Sequence, residues 1–202
     1  MKIGHLNWLV KPVGYQSITK RCPNCEIRKL FYPSGCFRVN AQKKTLDVWN
    51  IYKCEKCDYT WNIDIFSRIN TNKLNSELHE HFLHNNLDQV RRCAYDYSTL
   101  KKNNAKLGPT PEFYLEGPDP HALNNGATVR IEVLFEHPIP VRLINLLTRK
   151  LSRSRSEVLK LLEHKVLLDI TLDELNKKIK RPFSFLLDFK RLIDLHPPAS
   201  DS

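Results

Sequence analysis

Two cysteine pairs carry the clearest chemistry in this chain, Cys22-Pro23-Asn24-Cys25 and Cys54-Glu55-Lys56-Cys57, with 28 residues between them. Two residues between cysteines let both sulfurs of a tight turn face one point. Two such knuckles supply the four thiolates that tetrahedral zinc accepts at about 2.3 Å. The spacing therefore predicts a zinc-ribbon-like unit in which Cys22, Cys25, Cys54 and Cys57 hold one structural Zn2+. Redox use needs a C-x-x-C at a helix N-terminus within a βαβ pattern, and neither pair has that context. Lys20, Arg21, Lys53 and Lys56 flank the thiolates and would offset the negative charge of a four-thiolate zinc complex. Glu26 and Asp58 follow the second cysteine of each pair, where knuckles often carry glycine. Asp tolerates the left-handed backbone of such a position better than Glu does.

Other reactive side chains select no reaction. Cys36 and Cys93 are unpaired in sequence and read as small buried hydrophobes. His79, His81 and His84 cluster in LHEHFLH, but Leu83 stands where H-E-x-x-H requires its second histidine, so they read as solvent-facing helix residues. There is no G-x-S-x-G, Walker loop or dinucleotide turn, and carboxylates are scattered. The expectation is a binding protein and not an enzyme.

A second concentration of chemistry lies in PVRLINLLTRKLSRSRSEVLKLLEHKV, residues 140–166. Leu143, Leu146, Leu147 and Leu151 fall on one helical face, and Val158, Leu161 and Leu162 on another. Ser154 with Glu157 forms a capping box that should start the second helix, and Pro140 suits the first turn of the first. Arg142, Arg149, Lys150, Arg153, Arg155 and Lys160 crowd this helix-turn-helix, where phosphate oxygens also meet helix N-terminal N–H groups. These six residues are the candidate nucleic-acid contacts.

The elements that must position these residues follow from pattern. FRVN, LDVWNIYKC and YTWNIDIFSRI are rich in β-branched and aromatic residues and predict three or four short antiparallel strands. A helix is expected over about 76–95, capped by Asn75 or Ser76, with Leu78, Phe82, Val90 and Cys93 inward. LGPTPEFYLEGPDPHALNNG, with four prolines and three glycines, rules out a regular element there. A strand is expected over about 128–136. The chain divides in this reading into a zinc-ribbon-like unit (1–70), a linking helix (71–107), a Pro/Gly-rich connector (108–126), a strand plus basic helical module (127–195) and a flexible tail (196–202). The fold class is α+β.

Of 202 residues, 32 are Lys or Arg and 22 Asp or Glu. Residues 1–60 carry 11 basic and 4 acidic groups and residues 139–202 carry 13 and 8, whereas 61–138 carry 8 and 10. Basic ends around a mildly acidic middle suit a polyanion partner. No stretch approaches the roughly 20 apolar residues of a membrane span, and Lys11, Pro12 and Gly14 interrupt any signal core, so a cytoplasmic protein without disulfides is expected.

Residues Arg142-Leu143, Leu146-Leu147, Ser152-Arg153-Ser154-Arg155 and Lys165-Val166 resemble an S4 RNA-binding module over about 25 residues. The likeness stops at Leu167-Leu168-Asp169, where that family continues Val-Asn-Gly, and TLDELNKKIKRP is inserted. It implies an S4-like helical hairpin that binds structured RNA mainly by shape and backbone. SGCFRVNAQKKTLDVWNIYKCEKCDYTWNIDIFSRIN (34–70) together with VRLINLLTRKLSRSRSEV resembles an uncharacterised bacterial family known by a placeholder name for a domain of unknown function. That resemblance implies a bacterial cytosolic protein and no activity. RNA ranks ahead of duplex DNA as partner, because basic residues outnumber polar base-readers. The remaining alternative is an adaptor that meets another protein through Trp49, Tyr52, Tyr59 and Trp61.

Overall fold

Every second residue is buried at the end of the first strand, β1 (Gly4–Pro12), where Trp8, Val10 and Pro12 turn to one side. The computed structural model describes residues 4–119 and 128–195. After β1 come β2 (Ile18–Arg21), β3 (Arg28–Gln42), β4 (Thr45–Cys54) and β5 (Thr60–Asn70). Helices α1 (Ser76–Leu83), α2 (Leu87–Tyr95) and α3 (Tyr97–Lys102) and the short strands β6 (Lys106–Leu107) and β7 (Phe113–Glu116) follow. The remainder runs β8 (Thr128–Phe135), β9 (Val141–Arg142), α4 (Leu143–Lys150), α5 (Arg155–Glu163) and β10 (Leu167–Leu168). It ends with α6 (Leu172–Asn176), β11 (Lys178–Ile179), β12 (Phe183–Asp188) and α7 (Phe189–Leu195). Strand exceeds helix in this α+β chain.

Contacts divide the molecule into an inserted unit, Gly14–Pro111, and a unit made from the flanking stretches, Met1–Val13 and Glu112–Ser202. Residues 4–12, grouped by sequence with the ribbon, thus belong to the other sheet. The reason is pairing: β1 lies parallel to β8, with Trp8 opposite Val133. Parallel neighbours need a crossover connection, and here the crossover contains the whole inserted unit and β7.

The inserted unit is an antiparallel sheet in the order β5-β4-β3-β2-β6. Register shifts between Pro33 and Phe37 on β3, and around Val48 where β4 meets β5, are bulges that bend and curl the sheet. One face carries two core clusters. Phe37, Leu46 and Val48 pack with Phe82, Val90 and Cys93 from the helices, while Ile18, Phe31, Tyr52, Cys54 and Ile63 pack with Leu100. The single helix expected over 76–95 is two. Asn85 takes a left-handed φ of 52° and ends the first, and the Asn86 side chain caps the second by accepting from the Gln89 N–H at 2.9 Å. Asp96 then caps α3, accepting from the N–H groups of Ser98 and Thr99. Asn75 caps α1, accepting from the Glu77 N–H.

In the flanking unit the sheet order is β10-β12-β8-β1-β7. Its core holds Trp8 edge-on to Phe185, with ring centroids 5.9 Å apart, and Ile131, Val133 and Leu187 fully buried. Leu143, Leu146, Leu147 and Leu151 are buried from the first helix of the basic segment, and Val158 and Leu161 from the second. Ser154 and Glu157 form the expected capping box on α5. Pro140 does not open α4: Arg142 is its N-cap, because Val141–Arg142 extend as β9 and pair with β11. The Pro/Gly-rich stretch contains β7, since Phe113–Glu116 lie between its breakers and pair as an edge strand with β1. Gly117, at φ 122°, lets the chain pass where a Cβ would meet the Asn7 carbonyl oxygen at 2.3 Å. Residues 120–126 of the expected connector and the expected tail 196–202 lie outside the described residues.

Candidate metal centre and cationic surface

Both cysteine pairs occupy turns between paired strands, the first joining β2 to β3 and the second β4 to β5. The turns share one hydrogen-bond pattern. The Cys22 N–H donates to the Ile27 carbonyl at 2.9 Å and the Glu26 N–H to the Cys22 carbonyl at 2.8 Å. Likewise the Cys54 N–H donates to Tyr59 at 2.9 Å and the Asp58 N–H to Cys54 at 3.2 Å. Glu26 and Asp58 have φ of 58° and 57°, so both take the left-handed turn that glycine usually supplies. Pairing of Phe31 with Cys54 and a bond from the Glu55 N–H to the Leu30 carbonyl at 2.9 Å bring the knuckles together.

The four sulfurs all lie within 4.8 Å of one another, with Cys22 and Cys57 at 3.4 Å and Cys25 and Cys54 at 4.0 Å. A tetrahedron with metal–sulfur bonds near 2.3 Å has edges of about 3.8 Å. The cysteines are free thiols placed close enough to hold a metal ion, and they are the only such group found among the described residues. Burial pushes the Cys22 thiol up, but the Cys25 backbone N–H and the neighbouring sulfurs outweigh it and bring it down to about 7. Burial and the other sulfurs push Cys25 up to about 12. The surroundings of Cys22 thus favour the thiolate form that a metal requires. Cys22 and Cys54 are buried against Phe31, Tyr52 and Ile63, so the site is continuous with the core.

The charges expected beside the thiolates are distributed otherwise. Lys20 Nζ stands 3.3 Å from the centroid of the Trp61 ring, and burial lowers its pKa. Lys29 pairs with Glu55 at 3.5 Å, while Arg21, Lys53 and Lys56 are exposed. Among other residues singled out, Cys93 is buried, and burial raises its thiol to about 11. Cys36 is exposed, contrary to expectation, because it lies in the bulge of β3. His84 pairs with Glu80 at 3.1 Å on the helix surface. Of the four aromatics assigned to a protein partner, Tyr52 is fully buried and Trp61 packs on the core, whereas Tyr59 is exposed and Trp49 half-buried.

The six basic candidates separate into two groups. Arg149 donates to the Phe113 carbonyl at 2.6 Å and to Glu112 Oε2 at 3.0 Å, with its guanidinium 4.1 Å from the Phe113 ring centroid. Lys150 donates to the Gly117 carbonyl at 2.7 Å, and Arg153 pairs with Glu157 at 3.5 Å. These three are engaged by groups of the chain itself. Arg142 and Lys160 are exposed and make no ion pair among the described residues. Arg155 donates to Asn176 Oδ1 at 2.6 Å, tying the start of α5 to the approach to β11. There Lys178 lies directly opposite Arg142 across the β9–β11 ladder, and both are exposed. Sequence reading passed over Lys178. The run KKIKRP was its signal, but only strand pairing places it against Arg142.

Residues 39–171 match the model of a family described as Protein of unknown function (DUF1062). The chain belongs to this family. The DUF1062 match takes in Cys54, Cys57 and both helices of the basic segment, while Cys22 and Cys25 precede it. Comparison with curated proteins and with solved structures yields no match. No helix of the described residues is long and apolar enough to cross a membrane.

Proposed function

We propose that this DUF1062 protein is a cytoplasmic, zinc-containing nucleic-acid-binding protein, with structured RNA as its partner, and not an enzyme. Four soft thiolates in tetrahedral reach suit zinc, and the ion's role is structural because all four positions are filled by the protein. The observation that carries the binding reading is Arg142 facing Lys178 across β9–β11. Like charges directly opposite destabilise a ladder, and a phosphate between them reverses the sign of that interaction. Arg155, tied to Asn176 just before β11, stands near this pair, and Lys160 adds a further exposed cation on α5. Two helices joined by a Ser-Arg-Ser turn support the S4-like reading. The contacts then shift from Arg149, Lys150 and Arg153 toward Arg142, Arg155, Lys160 and Lys178.

Binding of a fluorescent hairpin RNA by the full chain, measured as a function of salt, tests this. Affinity should fall steeply with salt, and an Arg142→Glu/Lys178→Glu variant should lose at least tenfold and show a shallower salt slope. Tighter binding of duplex DNA than of hairpin RNA would move the assignment to DNA. Salt-insensitive binding, or folded variants with unchanged affinity, would refute it.

A further inference from the structure

The sheet of the inserted unit has a second face. Ile18, Phe31, Tyr52 and Cys54 fill the core, so their alternating neighbours project the other way. That outer face carries Arg21 directly opposite Arg28 across β2–β3, Tyr32 opposite Lys53, and Arg38 opposite Trp49 across β3–β4. All four cations are exposed, and none makes an ion pair among the described residues. Tyr32 is 42% exposed, and Arg38 lies 5.9 Å from the Trp49 ring centroid. Of the acidic side chains, Asp47 and Asp64 lie toward the far end of this face, away from Arg21 and Arg28, while Glu55, two residues beyond Lys53, is paired with Lys29 at 3.5 Å. Asp47 accepts the Arg68 N–H at 2.7 Å, and Asp64 stands opposite Trp49.

From this we infer that the outer face of β2–β4 is a stacking platform for unpaired polynucleotide. Tyr32 and Trp49 supply the rings on which bases stack, and Trp49 lies four residues along β4 from the position opposite Tyr32, roughly 13 Å away along the strand. Arginines and Lys53 line the route between and beyond them and take phosphates. The Arg21–Arg28 pair argues for an anionic occupant, since like charges directly opposite are unfavourable in the free protein. Base–aromatic stacking with a cationic track is the arrangement that holds single strands without sequence preference. The platform lies in the inserted unit and the Arg142–Lys178 surface in the flanking unit. The inference names an additional partner form and stands independently of the hairpin-RNA reading.

The test uses the full, metal-loaded chain and a fluorescein-labelled 12-nucleotide oligo(U). Binding should quench tryptophan emission, and the quench should vanish in Trp49→Leu. Tyr32→Leu and Trp49→Leu should each weaken oligo(U) binding roughly fivefold or more, and Arg21→Glu/Arg28→Glu should weaken it further and flatten the salt slope. Leucine keeps apolar bulk on the strand, and an unchanged melting profile confirms that each variant folds. Oligo(U) binding that survives these changes, or that is lost only in Arg142→Glu/Lys178→Glu, overturns the platform and leaves the hairpin-RNA reading intact. A blunt RNA hairpin that depends on Trp49 as strongly as oligo(U) does also overturns it.

Discussion

The two units of this chain secure their cores by different means. In the flanking unit, Trp8, Phe185 and a row of leucines from α4 and α5 fill the interior, and its described residues hold no cluster of metal-ligating side chains. In the inserted unit the core is split into two clusters, and one of them ends in Cys22 and Cys54. Thiolates in a core are tolerable only when protonated or bound to a cation. The inserted unit thus carries, at the end of one core cluster, four thiols close enough to hold a metal ion. The cations differ in the same way: around α4 most are engaged by carbonyls and carboxylates, whereas on the outer sheet face they are not.

The largest effect that would break this contrast is metal removal. A Cys22→Ser/Cys54→Ser variant should lose a bound zinc measured at one per chain by mass spectrometry. Its amide protons should exchange rapidly in β2–β5 while β1, β8 and β12 stay protected, because zinc binding in such small units supplies about 10 kcal/mol or more of folding free energy. Uniform loss of protection would show that the units are not energetically separate. The mirror experiment is Phe185→Ala, which removes a fully buried ring. It should destabilise the flanking unit by about 3–5 kcal/mol in denaturant unfolding and leave the zinc content unchanged.

Smaller changes sharpen the distinction between cations that hold the fold and cations that are available to a partner. Arg149→Ala should lower the melting temperature by removing contacts to Phe113 and Glu112, with little effect on hairpin-RNA affinity. Arg142→Ala should do the reverse. Ser154→Ala should cost about 1 kcal/mol through loss of the α5 cap. The Glu157 carboxyl is held below its ordinary range, first by the Ser154 hydroxyl at 2.6 Å and then by the Ser154 N–H. Its stabilisation is therefore complete above the ordinary carboxylate range and lost as pH falls through the depressed value. An acid titration should show that loss in the wild type and a weaker one in Ser154→Ala. The smallest effect is expected for Glu26→Gly, which should stabilise the inserted unit by up to about 1 kcal/mol by relieving a left-handed backbone.

Local signals were legible in the sequence where one segment decides its own structure. The knuckles, the Ser154–Glu157 box, the leucine face of α4 and the strand at 128–135 all follow from spacing of a few residues. The helix expected over 76–95 failed because two asparagines can each stop or start a helix, and composition does not say which do. β7 was hidden because four residues between prolines and a glycine become a strand only when a partner offers its edge.

Sequence alone determined that Cys22, Cys25, Cys54 and Cys57 form two knuckles, since a C-x-x-C turn carries its own geometry, and the fold brings their sulfurs close enough to hold a metal ion. Only tertiary structure decided that Glu26 and Asp58 both accept the left-handed turn, that β1 leaves the ribbon to lie beside β8, and that Arg142 stands opposite Lys178 while Arg149 is taken up by Phe113 and Glu112. Each of these depends on which strands pair, and pairing is set by the burial of residues far apart in the chain. No local pattern encodes that choice.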